Sequence, residues 1–344
     1  MNQRIASAGV FTYNAMNALN SLLSSLGIVT QGNVYWVNPR TGTDSIQGNS
    51  GQTPDVAFRS VRFALEQCTA NQNDVVVLCA AGNTAANTTD YLSENLEWKK
   101  DLVHLVGVNA GSFCSPRSRI SNSATATVFA NLFTVSANGC LIYGVEFYQG
   151  AGPTTLAAAS TCVTVTGQRN VFRNCAISGI GDTTRDYAGS NSLTIGGGTV
   201  QASENRFQGC YIGLNTVVRG TAATYEVRIQ GSTTALMPAR TIFEDCHFDS
   251  YANTTSWRAV SIGANVDRFV KFKNCEFSAS VNLPGVAIPA GALVVGAMNG
   301  AVYINNPAMF GYPLLVSGGS AYVKVQTYQA ATTTQGVAQS AAAS

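Results

Sequence analysis

Phe172-Arg173-Asn174-Cys175-Ala176-Ile177 is followed by three stretches built the same way: Phe207-Gln208-Gly209-Cys210-Tyr211-Ile212, Phe243-Glu244-Asp245-Cys246-His247-Phe248 and Phe272-Lys273-Asn274-Cys275-Glu276-Phe277. Each reads aromatic, polar, small turn-former, cysteine, any residue, large apolar. The cysteines return at intervals of 29 to 36 residues, a period that belongs to stacked structural repeats and not to one closed globule. Ile142 to Phe147 fits the same template with Val145 in the cysteine slot.

Strand side chains alternate between two faces, so Phe172 and Cys175, three positions apart, cannot both face inward on one flat strand. A corner must lie between them. Its place is the residue before the cysteine (Asn174, Gly209, Asp245, Asn274), because Asn, Asp and Gly tolerate the left-handed backbone that a sharp corner requires. Strand, corner and strand, returning in register about 30 residues later, is one coil of a parallel β-helix. These Phe-x-Asn-Cys-x-Ile copies resemble the rungs of the pectin-lyase-like right-handed β-helices. That group includes polysaccharide lyases and hydrolases as well as phage tailspike, fibre and capsid-associated proteins. The fold class implied is all-β, a right-handed single-stranded parallel β-helix (solenoid) with an N-terminal helix and a capping helix.

Charged residues make up 11% of the chain, and 33 glycines accompany them. Little charge and much glycine suit short strands and tight turns. Twenty basic and 18 acidic residues leave a net charge of +2, so no electrostatic argument favours a nucleic-acid partner. Nine cysteines without paired local spacing indicate neither a disulfide framework nor a zinc site. Stacked rungs would set successive cysteines ~4.8 Å apart, beyond the ~3.8 Å Cβ separation of a disulfide; they read as buried, reduced thiols, which favours assembly in a reducing cytoplasm. No 18-residue apolar run exists and the start lacks signal-peptide features, so neither membrane insertion nor secretion is expected.

Four segments are expected along the chain. Residues 1–31 carry Val10, Tyr13, Met16, Leu19, Leu22, Leu23 and Leu26 at helical spacing, an amphipathic assembly or attachment helix. Residues 32–74 form the β-helix entrance: the strand Val34 to Val37, a turn-rich loop, and a helix with Phe58, Val61, Leu65 and Cys68 that plugs the open end of the coil. Residues 75–305 hold about eight coils. In residues 306–344 the repeat fades, with one closing strand near Tyr322 to Val325 and a low-complexity tail from Ala330 that orders only against a neighbour.

The alignment stacks Glu146, Ala176, Tyr211, His247 and Glu276 in one outward row, and Arg173, Gln208, Glu244 and Lys273 in another. His247 beside Glu276 and Glu244 beside Lys273 read as surface ladders. His104 reads as a satisfied structural histidine. Two histidines and scattered acids indicate no metal, and no cofactor is expected. The excursion Ser178 to Asn191 brings Asp182, Arg185, Asp186 and Tyr187 together, with Glu204 and Arg206 on the next coil. If the chain is an enzyme, Asp182, Asp186 and Glu204 are the candidate acid and base residues for a glycosidic bond.

With no evident catalytic cluster, the first expectation is a non-enzymatic structural protein of a bacteriophage virion, capsid-associated or a tail spike or fibre, assembled in the host cytoplasm. The resemblance implies a homotrimer docked on other virion proteins and displayed toward a host surface glycan. Two alternatives stand beside it. A polysaccharide depolymerase requires two carboxylates about 5 to 10 Å apart in a groove. A carbohydrate-binding adhesin requires a flat aromatic platform, for which Tyr211, Tyr251 and Trp257 are candidates.

Overall fold

The computed structural model describes residues 32–48, 50–79, 89–108, 117–123, 128–150, 158–219, 224–280, 289–327 and 338–341, together with Ser21, Ser24 and Ser25. The chain winds through three parallel sheets in turn. Among the described residues the first sheet has eleven strands, the second eight and the third seven. One coil shows the plan: Val171–Arg173 lies in the first sheet, Ala176–Ile180 in the second and Asn191–Ile195 in the third. Arg206–Gln208 then re-enters the first sheet beside Val171–Arg173.

The corner falls where the repeat places it. Asn174, Asp245 and Asn274 have φ of 51°, 53° and 51°, and Gly209 has 60°. Gly144 (φ 65°) and Asn306 (φ 52°) turn the same corner on the coils before and after. On the strand before the corner the inward side chains stack on their own kind. Phe172, Phe207, Phe243 and Phe272 lie ring on ring with centroids 4.9, 4.9 and 5.1 Å apart. Each is fully buried, worth about 1.5–3 kcal/mol of transfer free energy. Cys175, Cys210, Cys246 and Cys275 are free thiols, and each Sγ donates to a carbonyl one coil back, on Ile142, Phe172, Phe207 and Phe243. The two expected rows are observed in register, but Glu146 and Ala176 in the first are buried where outward positions were expected.

A second, less visible left-handed position comes just before the first-sheet strands Val171–Arg173 and Arg206–Gln208 and at the second residue of Ala239–Glu244 and Asp267–Lys273. Arg169, Glu204, Arg240 and Arg268 have φ between 54° and 64°, a conformation costing an ordinary residue roughly 1–2 kcal/mol. Buried Asn170 and Asn205 stabilise it from within. Their amide groups donate to the carbonyls of Ala137 and Gly167, and their side-chain oxygens accept the main-chain amides of Cys140 and Asn170.

At the entrance, Ser60 caps the helix Val61–Gln67 by accepting the Phe63 amide, and Val61, Ala64 and Leu65 are buried against the core. Lys100 Nζ closes the other end of the helix on the carbonyls of Glu66 and Cys68. His104 is buried. Its Nδ1 accepts the Leu141 amide at 3.0 Å, which leaves Nε2 to donate to Asn73 Oδ1 at 3.3 Å.

The structure departs from the sequence expectations in several places. About six turns are formed, against the eight expected over residues 75–305. Three short strands, Thr89–Leu92, Leu96–Trp98 and Arg119–Asn122, were not expected; they lack the repeat phrase and pair through backbone register. Coil geometry also continues past residue 305: Ala308–Phe310 pairs with Glu276–Ser280, and Val323–Thr327 with Asn299–Asn305. Ala338–Ala341 adds antiparallel to Val323–Thr327, so the neighbour of this part of the tail is the chain's own last coil. The helix expected over residues 1–31 lies outside the described residues, except that Ser21, Ser24 and Ser25 are helical.

Candidate functional site

The residues proposed from sequence fall at two different corners. Asp182 and Asp186 lie in the excursion from the second sheet to the third, around the short helical turn Thr183–Asp186. Asp182 is the cap of that turn, accepting from the amide and hydroxyl of Thr184 at 2.9 and 2.5 Å. Glu204 lies instead on the turn from the third sheet to the first. There Arg169 (2.8 Å) and Arg240 pair with it from the coils on either side and hold its carboxyl below the usual carboxylate range. The ladder of opposite charges explains why a glutamate occupies a left-handed corner.

Arg185, from the same excursion, enters a buried ion cluster. It and Arg219 both donate to Glu226, at 2.5 and 2.9 Å, and all three side chains are fully enclosed. Burial alone would push the Glu226 carboxyl up; the two guanidiniums and the Ser192 hydroxyl more than offset it and hold it low. Burial lowers Arg185 to about 10. The cluster pins the excursion to Tyr225–Ile229 and is closed to solvent.

Other charged rows are also matched. Glu244 accepts from Arg206 and Lys273, Glu146 from Arg117 and Arg119, and His247 meets Glu276 at 3.1 Å. The aromatic platform does not form from the expected residues. Trp257 is fully buried and stacks on Tyr312, while Tyr211 stacks on His247 and donates to Asp249. Trp257 faces inward because it follows the strand His247–Ala252 and fills the turn into the third sheet.

Two carboxylates do converge on a groove at the entrance. Asp44 Oδ1 accepts the amides of Arg59 and Ser60 at 2.8 and 3.0 Å, and its Oδ2 accepts the Ser60 hydroxyl at 2.7 Å. Asp90 Oδ2 accepts the next amide, that of Val61, at 2.8 Å. Adjacent amide nitrogens are at most ~3.7 Å apart, so the bonded oxygens lie within about 9.5 Å of each other. Both carboxylates line a groove of about 380 Å³ with Arg59, Arg62, Tyr91 and Ser93. Tyr91 is 45% exposed there. Burial pushes the Asp90 carboxyl up to about 6; the Val61 amide opposes the shift and the negative charge of Asp44 adds to it.

Sequence reasoning missed this pair. Asp44 sits in a turn-rich loop and Asp90 on an unrecognised strand, and only closure of the coil by the capping helix brings them onto consecutive amides. Among the described residues no group of three or more His, Cys, Asp or Glu could hold a metal, and no helix is long and apolar enough to cross a membrane.

No protein-family model matches the chain, and no curated protein matches it. Solved structures do. A rhamnogalacturonan lyase aligns with 15% identity and a TM-score of 0.52 over 82% of this chain and 69% of its own. The pectate lyase Pel9A aligns with 14% identity and a TM-score of 0.49 over 86% and 79%. Pectin methylesterase PemA from Erwinia chrysanthemi aligns with 12% identity and a TM-score of 0.48 over 85% and 81%. At 15% identity the likeness to the rhamnogalacturonan lyase shows the fold alone, a pectin-lyase-like parallel β-helix.

Proposed function

We propose that this protein cleaves a polysaccharide, with Asp90 as general acid and Asp44 as general base in the entrance groove. The observation that carries the reading is the pair itself, two carboxylates within about 9.5 Å in one groove with environments that differ. Asp90 is buried, with a carboxyl pushed up to about 6. It holds a proton in mildly acidic solution and donates it to the glycosidic oxygen as the bond to the anomeric carbon breaks. Asp44 is arranged as an acceptor and takes the proton of the water that attacks that carbon. The upper bound of about 9.5 Å is compatible with the separation that an acid and a base acting through a water require. Tyr91 offers a face to a sugar ring, and Arg59 and Arg62 offer cations to acidic substituents. The rhamnogalacturonan lyase that shares the fold is by name a polysaccharide-cleaving enzyme, which favours this reading over a passive rod. Neither the groove nor the neighbours bears on a virion, a trimer or a host.

The test is incubation with a panel of neutral and acidic polysaccharides, following reducing ends and the absorbance of unsaturated ends. Hydrolysis gives the first without the second, and elimination gives both. Asp90→Asn and Asp44→Asn should each lower the rate about 10²- to 10⁴-fold, with activity falling as pH rises through about 6. A panel left intact by the parent protein, or cleaved as fast by the Asp44→Asn/Asp90→Asn double variant, would overturn the assignment and return the glycan-inert structural reading.

A further inference from the structure

At the C-terminal end of the solenoid the three sheets finish differently. The first is completed by Ala338–Ala341, which pairs antiparallel with Val323–Thr327. The third ends at Leu293–Val295, and the chain that follows covers that strand: the Leu293 amide donates to the Leu315 carbonyl at 2.9 Å, and the Ser317 amide donates to the Leu293 carbonyl at 2.9 Å. The second ends at Ala308–Phe310, which pairs with Glu276–Ser280 on one side and, among the described residues, with no strand on the other. All three residues of this last strand are exposed.

The open edge leaves the end of a core column bare. Phe147, Ile177, Ile212, Phe248 and Phe277 are register partners in turn, and all are fully buried. Met309, the register partner of Phe277, ends the column and is 37% exposed; Phe310 beside it is 58% exposed. The Ala308 amide donates back to the Cys275 carbonyl at 3.0 Å. Main-chain groups of successive strand residues point to opposite edges, so the N–H and C=O of Met309 face the open one. Such an edge templates another strand unless charge blocks it. Here none does, because residues 299–323 contain no Asp, Glu, Lys or Arg.

We infer that Ala308–Phe310 pairs antiparallel, end to end, with the same strand of a second copy of this chain. A charge-free end offers nothing to select a charged partner, and it meets its own copy without like-charge repulsion. About a two-fold axis at Met309, each Met309 N–H donates to the other's C=O. The two thioether side chains, which adapt to irregular gaps, then meet over the ends of both core columns, and each Phe310 lies beside the other copy's Ala308. The first sheet uses the same antiparallel closure within one chain. A two-fold contact consumes the same edge on both copies, so association stops at two. Pro307 has no N–H to extend the pairing; the contact is short, and the dimer is reversible.

The test is sedimentation velocity of the full chain over a hundredfold range of concentration. The mass is expected to rise from one copy to two and stop there. Met309→Lys sets two like charges opposite each other and should raise the concentration needed for association about tenfold. Met309→Pro, which removes the edge-facing N–H, should act in the same direction. Ile46→Lys, at an exposed apolar residue of the entrance loop, should associate like the parent. Circular dichroism melts check that each variant is folded, and Phe310→Lys, at the more exposed position, carries the test if either Met309 variant is not. A single copy at every concentration, parent-like association by the folded edge variants, an equal loss from Ile46→Lys, or growth beyond two copies would overturn the inference.

Discussion

Between Phe172 and Phe277 the inward positions meet their own kind on the next coil, phenylalanine on phenylalanine and cysteine beside cysteine. Between Val34 and Gly107 they do not. There Tyr35, Val76 and Leu105 share one inward column, and buried polar groups tie the coils together: His104, Asp90 on the helix amide, and Asp74 accepting the amides of Asn33 and Thr69. The repeated coils are stabilised largely by burying matching apolar shapes. The entrance is stabilised by individual polar contacts, and their burial shifts the protonation of Asp90 and His104. In a solenoid, the place where the repeat fails is therefore where titratable side chains become available.

The middle of the rod also encloses charge, in the Arg185–Glu226–Arg219 cluster, and removing its centre should have the largest effect. Glu226→Ala would leave two enclosed guanidiniums without their anion and should cost about 5 kcal/mol, read as a fall in the urea midpoint or as failure to fold. Survival with less than about 1 kcal/mol lost would mean that the excursion does not rest on this cluster. Phe207→Ala interrupts the aromatic stack and should cost about 3–4 kcal/mol.

The entrance is tested next through pH. Burial lowers His104 to about 4, below its unfolded value, so between about 4 and 6.5 the unfolded chain binds more protons and stability falls as pH drops. Asp90, raised from 3.8 to about 6, acts oppositely: the native state holds the extra proton, and stability falls as pH rises through the same range. Each contributes about 3 kcal/mol at most, so the parent's stability should be nearly flat from pH 4 to 6. Asp90→Asn should expose the histidine slope, stability rising with pH, and His104→Asn the opposite slope. Urea midpoints at pH 4.5, 5.5 and 6.5 decide it, and parallel profiles for all three proteins would refute the opposition.

The smallest effect belongs to the repeat's own cysteine. Cys210→Ser keeps a donor for the Phe172 carbonyl and should cost about 1 kcal/mol. A much larger loss would show that the apolar bulk of the sulfur matters more than its hydrogen bond.

The phrase around each cysteine was sufficient to place the corner, the stacked phenylalanines, the reduced thiols and the register of the two rows, because these are consequences of alternation and period along a single strand. His247 beside Glu276 and Glu244 beside Lys273 followed from the same register. Other features had no such local signature. Glu204 stands at a left-handed corner that glycine would have announced, and Trp257 looked like an exposed platform until the turn around it was closed. Arg185 was legible as a charge in a loop, while Glu226, some 40 residues later, gave no sign of waiting for it. Asp44 and Asp90 became a pair only when the capping helix presented consecutive amides to both. Sequence alone determined what repeats from coil to coil, since side-chain alternation acts over a few residues. Only the tertiary structure decided which charges are enclosed together, because burial and proximity depend on segments tens of residues apart.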